Sequence, residues 1–243
     1  MAAGKTRTPL PEPQPDWRQA GSRVERAELI RQALFREAAA VVGEVGYAGA
    51  SVALITARAG VAQGTFYNYF ESRQDLFDQL LPTLGQHMRE HVRECAHGGA
   101  DFSERESLSF RAFFSFLAEA PHFFRILNEA ESFAPKAHKT HFEEVAEGYV
   151  GFLQKGVAAG EFQGWEPREM EVVAYVLMAA RSYLAWRYVY GEERHDDIPD
   201  WVARAYDKLV SHGLKGQPGS CAGAVNGAFP AAAPTPPHSS KQR

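Results

Sequence analysis

The stretch that most limits how this 243-residue chain can fold is the break Gly60-Val61-Ala62 with the aromatic-rich segment after it, GTFYNYF at 64–70. Before the break, Val52, Ile55, Thr56 and Ala59 recur at i, i+3, i+4 and i+7, the spacing of one helical face. After it, Phe66 and Phe70 stand at i and i+4. Two short helices joined by so brief a turn have the geometry of a helix-turn-helix. Gly60 suits the positive φ that such a turn requires. With both phenylalanines inward, Gln63, Thr65, Tyr67 and Asn68 lie mainly outward. A core helix would keep its rings on one stripe, so these tyrosines face something other than the core.

Helix signals continue on both sides. Ser22-x-x-Glu25 reads as a capping box. It opens a helix to Val45, with Leu34, Phe35, Ala38, Val41, Val42 and Val45 as the apolar face and Gly46 as the stop. Ser51 is placed to cap the second helix, and the third is predicted from about Gln63 to Tyr69. Ser72-x-x-Asp75 starts a long fourth helix through Leu76, Leu80 and Leu84 towards Cys95. After the Gly98-Gly99 break, Ser103-x-x-Glu106 opens a helix ending near Ala120. Pro121 and Pro135 stand where a first helical turn accepts proline. Further helices are predicted from Pro135 to Gly160, Pro167 to Tyr190 and Pro199 to about His212. No hairpin dipeptide is flanked by alternating residues, and there is no internal repeat. The expected fold is all-α: a three-helix unit over 22–75, then a larger helical domain over 76–213. Segments 1–21 and 214–243, rich in proline or in Gly, Pro, Ala and Ser, are expected to be disordered.

Composition narrows the function class. A net charge of −4 does not by itself point to nucleic acid. Two cysteines, Cys95 and Cys221, are too few for a disulfide framework and fit a reducing cytoplasm. The N-terminus has no apolar core of a secretory signal. The longest apolar run, VVAYVLMAA at 172–180, falls far short of the ~20 residues of a membrane span. A soluble cytoplasmic protein without a membrane partner is expected. There is no Gly-x-Ser-x-Gly elbow, phosphate loop or His-Glu-x-x-His. No catalytic residue, cofactor or enzymatic activity is expected.

The outward residues of the short helix suit DNA. Gln63, Thr65 and Asn68 carry amides and a hydroxyl fit for base edges in the major groove. Gly64 allows close backbone approach, and Tyr67 and Tyr69 can offer hydroxyls to phosphates. Ser51 and Arg73 stand at helix N-termini, where backbone N–H groups favour a phosphate. The region from about Leu34 to Phe77 resembles the DNA-binding region of the TetR/AcrR family of transcriptional regulators. Gly46-Tyr47, Ser51-Val52, Ile55, Ala59-Gly60-Val61, GTFYNYF at 64–70, Ser72-Arg73 and Leu76-Phe77 carry the likeness. Gln63 departs from it, standing where a lysine is frequent. The resemblance implies a homodimeric repressor with a DNA-binding unit over 22–75 and an effector-binding and dimerisation domain over 76–213. It places Gln63, Gly64, Thr65, Tyr67 and Asn68 at recognition positions, and Ser51, Tyr69 and Arg73 at phosphate contacts. A two-fold dimer would read a palindromic double-stranded operator. The unit contains no lysine, and its six arginines are matched by six acidic residues, so modest non-specific affinity is expected.

The larger domain is dense in rings. Phe113, Phe116, Phe124, Phe152, Tyr175 and Met178 are either plain core or, with Asn128 at a polar end, the lining of an apolar pocket for a small-molecule effector. Arg125, Glu129 and Arg181 lie in or beside the same apolar runs. An acyl chain, an aromatic metabolite or a hydrophobic drug would each fit, and a lipid or small-molecule carrier is an alternative use of such a cavity. A metal-responsive regulator is another. His87, His91 and Cys95 fall at i, i+4 and i+8, and His138-x-x-His141 spans one turn, though neither set is complete for zinc. The 167–190 helix is apolar around much of its circumference, which suits burial on two faces, one of them against a partner chain.

Overall fold

The computed structural model describes residues 17–162, 164–192, 195 and 197–214. Apart from Leu214, the expected tail, with Cys221, lies outside them, as do residues 1–16 of the expected arm. Among the described residues there is no strand. The helices are α1 (Arg23–Gly49), α2 (Val52–Ala59), α3 (Gln63–Phe66), α4 (Arg73–Ala96), α5 (Phe102–Glu119), α6 (Phe123–Phe133), α7 (Pro135–Ala158), α8 (Glu169–Tyr188) and α9 (Asp200–Leu214), preceded by a 3-10 turn at Trp17–Gln19.

Side-chain caps fix four of the starts, those of α1, α2, α4 and α5. The hydroxyls of Ser22, Ser51 and Ser72 accept from the backbone N–H groups of Glu25, Leu54 and Asp75 at 3.1–3.2 Å. Each satisfies a donor that the first turn leaves open. Glu25 and Asp75 reach back to the N–H groups of Gly21 and Glu71, closing both boxes from the other side. The start of α5 differs from expectation. Asp101, not Ser103, caps it, accepting from Glu104 N–H at 2.8 Å. Glu106, expected as the capping partner, is buried and engaged elsewhere. The first helix also passes its expected stop: Gly46 adopts φ 76°, and a further turn runs to Gly49.

A continuous core of buried side chains extends from α1 to α9. Helix α4 belongs to both halves. Its first turns bury Leu76, Phe77 and Leu80, and later ones bury Leu81 and Met88. The boundary expected at 75/76 therefore falls within one unbroken helix. Helix α6 packs on α1, α4 on α5 and α7, α7 on α8, and α5 on α9. Tyr47, fully buried on α1, meets Phe77 of α4 edge-on at 4.8 Å and stacks on Phe133 of α6 at 6.0 Å. That ring joins three helices where the N-terminal unit meets the larger domain.

Candidate nucleic-acid interface and its link to the larger domain

Two elements place α3 rigidly. Gly60 ends α2 in the left-handed region at φ 68°, and Val61 N–H closes the turn on Thr56 O at 3.0 Å. Phe66 and Phe70 are buried beneath it, 5.3 Å apart, with Phe70 edge-on to Phe35 of α1. These rings anchor the helix, and each large buried ring removed to alanine costs about 3–5 kcal/mol. The opposite side is open: Gln63, Gly64, Tyr67 and Asn68 are exposed, while Thr65 and Tyr69 are half-buried. The helix is shorter than expected, ending at Phe66, so Tyr67, Asn68 and Tyr69 extend from a turn. Nothing lies within 4 Å of a Cβ built on Gly64, and its φ is not positive. The protein's own packing gives no reason for glycine there.

The residues assigned to phosphates lie around this helix. Arg73 donates to Ala50 O at 3.4 Å, and its guanidinium sits 5.4 Å from the Phe77 ring, next to the Ser51-capped start of α2. Tyr69 shares an open groove with Arg23, Val24, Ala27, Glu28 and Arg31 of α1. Arg58 is committed to Glu44 through two bonds, and that pairing holds the Glu44 carboxyl below its usual range. The expected disordered arm contributes a feature not foreseen from sequence. Trp17 Nε1 donates to Ala59 O at 3.4 Å and Arg18 Nη2 to Gly60 O at 3.2 Å, so residues 17 and 18 cap the end of α2 from outside. Arg18 and Arg26 both lie over the indole, at 4.2 and 5.1 Å. A tryptophan flanked by polar residues has no periodic neighbours, so helix patterning did not reveal it.

The kink in α1 is held by the larger domain. Arg125 Nη1 donates to Gly43 O at 3.1 Å and Glu44 O at 2.8 Å, while Nε bonds Glu129 Oε1 at 2.7 Å. Glu129 Oε2 accepts from Tyr47 N–H at 2.9 Å. Burial raises the Glu129 carboxyl's pKa, but the bonds from Arg125 and Tyr47 outweigh this and leave it lowered. A Cβ on Gly46 would stand 2.7 Å from Glu129 Oε2 and 2.9 Å from Arg125 Nη2. Both the positive φ and this clasp therefore require glycine.

The pocket candidates of the larger domain are divided. Phe113, Phe116 and Met178 are buried. Phe124 stacks on Tyr190 at 4.3 Å, and Phe152 on Phe102 at 4.8 Å. Asn128 is exposed and donates to Phe124 O. Tyr175 faces outward in an open apolar groove with Val172, Val176 and Ala179. Beneath this, Arg181 of α8 bonds Glu106 of α5 at 2.8 Å, with Tyr149, Tyr206 and Ser109 around them. His141 is buried against Phe123 and Phe142, and burial, with Arg89 and His138 nearby, pushes its imidazole down to about 4. No group of three or more His, Cys, Asp or Glu among the described residues is placed to hold a metal. His91 instead bonds Ser115 at 3.0 Å, with the exposed Cys95 thiol 3.9 Å away.

This arrangement matches known proteins. Residues 34–80 match the family described as bacterial regulatory proteins, tetR family. That segment carries the family likeness. The chain is 26 % identical over 165 residues to a fatty acid metabolism regulator protein of Bacillus subtilis, covering 64 % of this chain and 81 % of that one. It is 22 % identical over 193 residues to the HTH-type transcriptional regulator YhgD of the same organism, covering 79 % and 97 %. Its fold is shared with FadR from Bacillus subtilis in complex with stearoyl-CoA, at a TM-score of 0.65 and 22 % identity, over 76 % of this chain and 99 % of that one. It is a DNA-binding transcriptional regulator. No helix among its described residues is long and apolar enough to cross a membrane.

Proposed function

We propose that this regulator is a cytoplasmic homodimeric repressor, without enzymatic activity, that leaves a palindromic operator when a small apolar effector enters its larger domain. The observation that carries the reading is the division of α3. Phe66 and Phe70 fix the helix from beneath, and Gln63, Gly64, Thr65, Tyr67 and Asn68 are left for base edges. Ser51, Tyr69 and Arg73 supply phosphate contacts around it, and Gly64 leaves room for the DNA backbone. The effector class follows from the ring-lined interior at Phe113, Phe116, Phe124, Phe152 and Met178, and the stearoyl-CoA held by FadR supports an apolar body. Such an effector acts only by preferring the geometry that does not bind DNA. The long α4, the Tyr47 ring contacts and the Arg125–Glu129 clasp are the connections through which it acts.

Tyr175 goes with the dimer surface instead. Val172, Tyr175, Val176, Tyr183 and Trp186 on α8, with Trp201 and Leu209 on α9, are all more than 45 % exposed. Large apolar side chains left exposed in this number mark a protein partner, and a second copy completes the surface. Mass measurement at micromolar concentration is expected to give a dimer; a monomer alone rejects this part of the reading. The deciding experiment is a footprint on DNA upstream of its own or a neighbouring gene. Protection lost in Tyr67→Ala and Asn68→Ala, with folding intact, is the expected result. Protection kept in both variants removes α3 as the recognition helix.

A further inference from the structure

The larger domain buries one charged cluster for which DNA binding has no use. Glu106 is 1 % exposed and Tyr206 4 %. A single carboxylate oxygen, Glu106 Oε1, accepts from Tyr149 and Tyr206 hydroxyls at 2.5 Å and from Arg181 Nη2 at 2.8 Å. Arg181 also donates to the Ser109 carbonyl and hydroxyl at 3.2 and 3.1 Å. The cluster thus ties α5, α7, α8 and α9 together. It is nevertheless incomplete: Glu106 Oε2 and Arg181 Nε are buried and have no partner. Groups of this kind are expensive to leave unsatisfied.

The open positions are one acceptor and one donor, on two side chains that already bond each other. Around them are rings, with the guanidinium 5.8 Å from Phe110 and 6.0 Å from Phe113. Arg181, Phe113 and Leu177, the last one turn before Arg181, keep 7–8 % exposure, whereas Phe110 and Ala174 keep none. Both open atoms are sealed beneath these side chains, so a ligand reaches them only when a ring such as Phe113 turns aside. The cluster's charges already balance, guanidinium against carboxylate. Burial raises both tyrosine pKa values, which keeps the phenols neutral. An anionic ligand would compete with Glu106 for the arginine, and a cationic one with Arg181 for the carboxylate. A neutral group that donates to Oε2 and accepts from Nε–H fills both positions and displaces nothing.

We propose that the Glu106–Arg181 cluster reads the polar end of the effector, and that this end is a neutral hydroxyl or carboxamide on an apolar body. The assignment rests on the reading that the effector enters the larger domain. It is tested on the full chain with three probes that share an eight-carbon chain and a ring: 4-octylphenol, 4-octylbenzoate and 4-octylbenzylammonium. Calorimetric titration is expected to give binding of the phenol at least tenfold tighter than of either charged probe. Arg181→Lys, which keeps the charge and loses Nε–H, is expected to erase that preference; if it does not fold, the three-probe comparison on the unaltered chain decides. Equal or tighter binding of a charged probe overturns the proposal. So does no binding of any probe up to about 1 mM by protein that still protects its operator, which would make the cluster a structural ion pair only. If the ligand-free protein protects no operator while the phenol preference is intact, the repressor reading is rejected and this one stands.

Discussion

Arg125–Glu129 and Arg181–Glu106 have nearly the same geometry, 2.7 and 2.8 Å between nitrogen and oxygen, and opposite surroundings. The first lies on α6 at a partly exposed seam and holds backbone atoms of α1. The second is sealed among four helices. An exposed pair adds little stability because water competes for both charges. A buried pair adds little relative to an apolar replacement, yet breaking it leaves an uncompensated charge in the interior. The seam pair should therefore affect communication between the two halves, and the sealed pair should affect whether the larger domain stays folded.

The largest effect is expected at the sealed pair. Arg181→Met alone is expected to lose about 3–5 kcal/mol in urea unfolding, and adding Glu106→Leu is expected to recover most of it. A single variant within about 1 kcal/mol of the parent would put the two pairs in the same class. His141 extends the contrast to a buried ionisable group without a countercharge. Its imidazole titrates at about 4 when folded, below its ordinary 6.5, so the unfolded chain binds the proton first. Its contribution is full above about pH 6.5, declines as the pH falls towards 4, and amounts to about 3 kcal/mol at most. His141→Phe is expected to flatten the stability profile between those values.

Smaller effects are expected on the DNA side. Gly64→Ala is expected to gain up to about 1 kcal/mol of stability, because alanine suits a helix better, while weakening operator protection. A variant that is more stable and binds equally well would mean that no backbone approaches Gly64. The least change in stability, under about 1 kcal/mol, is expected for Glu129→Gln at the seam. The same variant is expected to blunt effector-induced release from the operator. Unchanged release would leave α4 and the Tyr47 ring contacts to connect the halves.

Much of the DNA-binding unit was legible because its determinants are local. Ser22, Ser51 and Ser72 bond groups three residues away, and the positive φ of Gly60 was expected from the turn alone. Phe66 and Phe70 separate from Tyr67 and Asn68 by helical spacing. What was missed depends on partners far away in sequence. Ser103-x-x-Glu106 and Asp101-x-x-Glu104 offer the same capping pattern two residues apart. The choice between them turns on Glu106 being claimed by Arg181, 75 residues on. Gly46 read as a helix end because nothing nearby signals that Arg125 and Glu129 will hold a kink there. The rings of the larger domain gave no separation of core from dimer surface, since α8 is apolar on both faces and Tyr175 and Met178 differ only in direction.

The length of α4 has a mechanical consequence. Its 24 residues form a rod of about 36 Å at the ordinary helical rise. Pivoting such a rod by about 5° at its far end swings Arg73 through about 3 Å, a sizeable fraction of the 5.4 Å helical pitch. Two copies tilting in opposite senses would double the change in spacing between their recognition helices. In such a dimer, a displacement within the larger domain no bigger than a ring's rotation would shift the two short helices against each other by leverage alone.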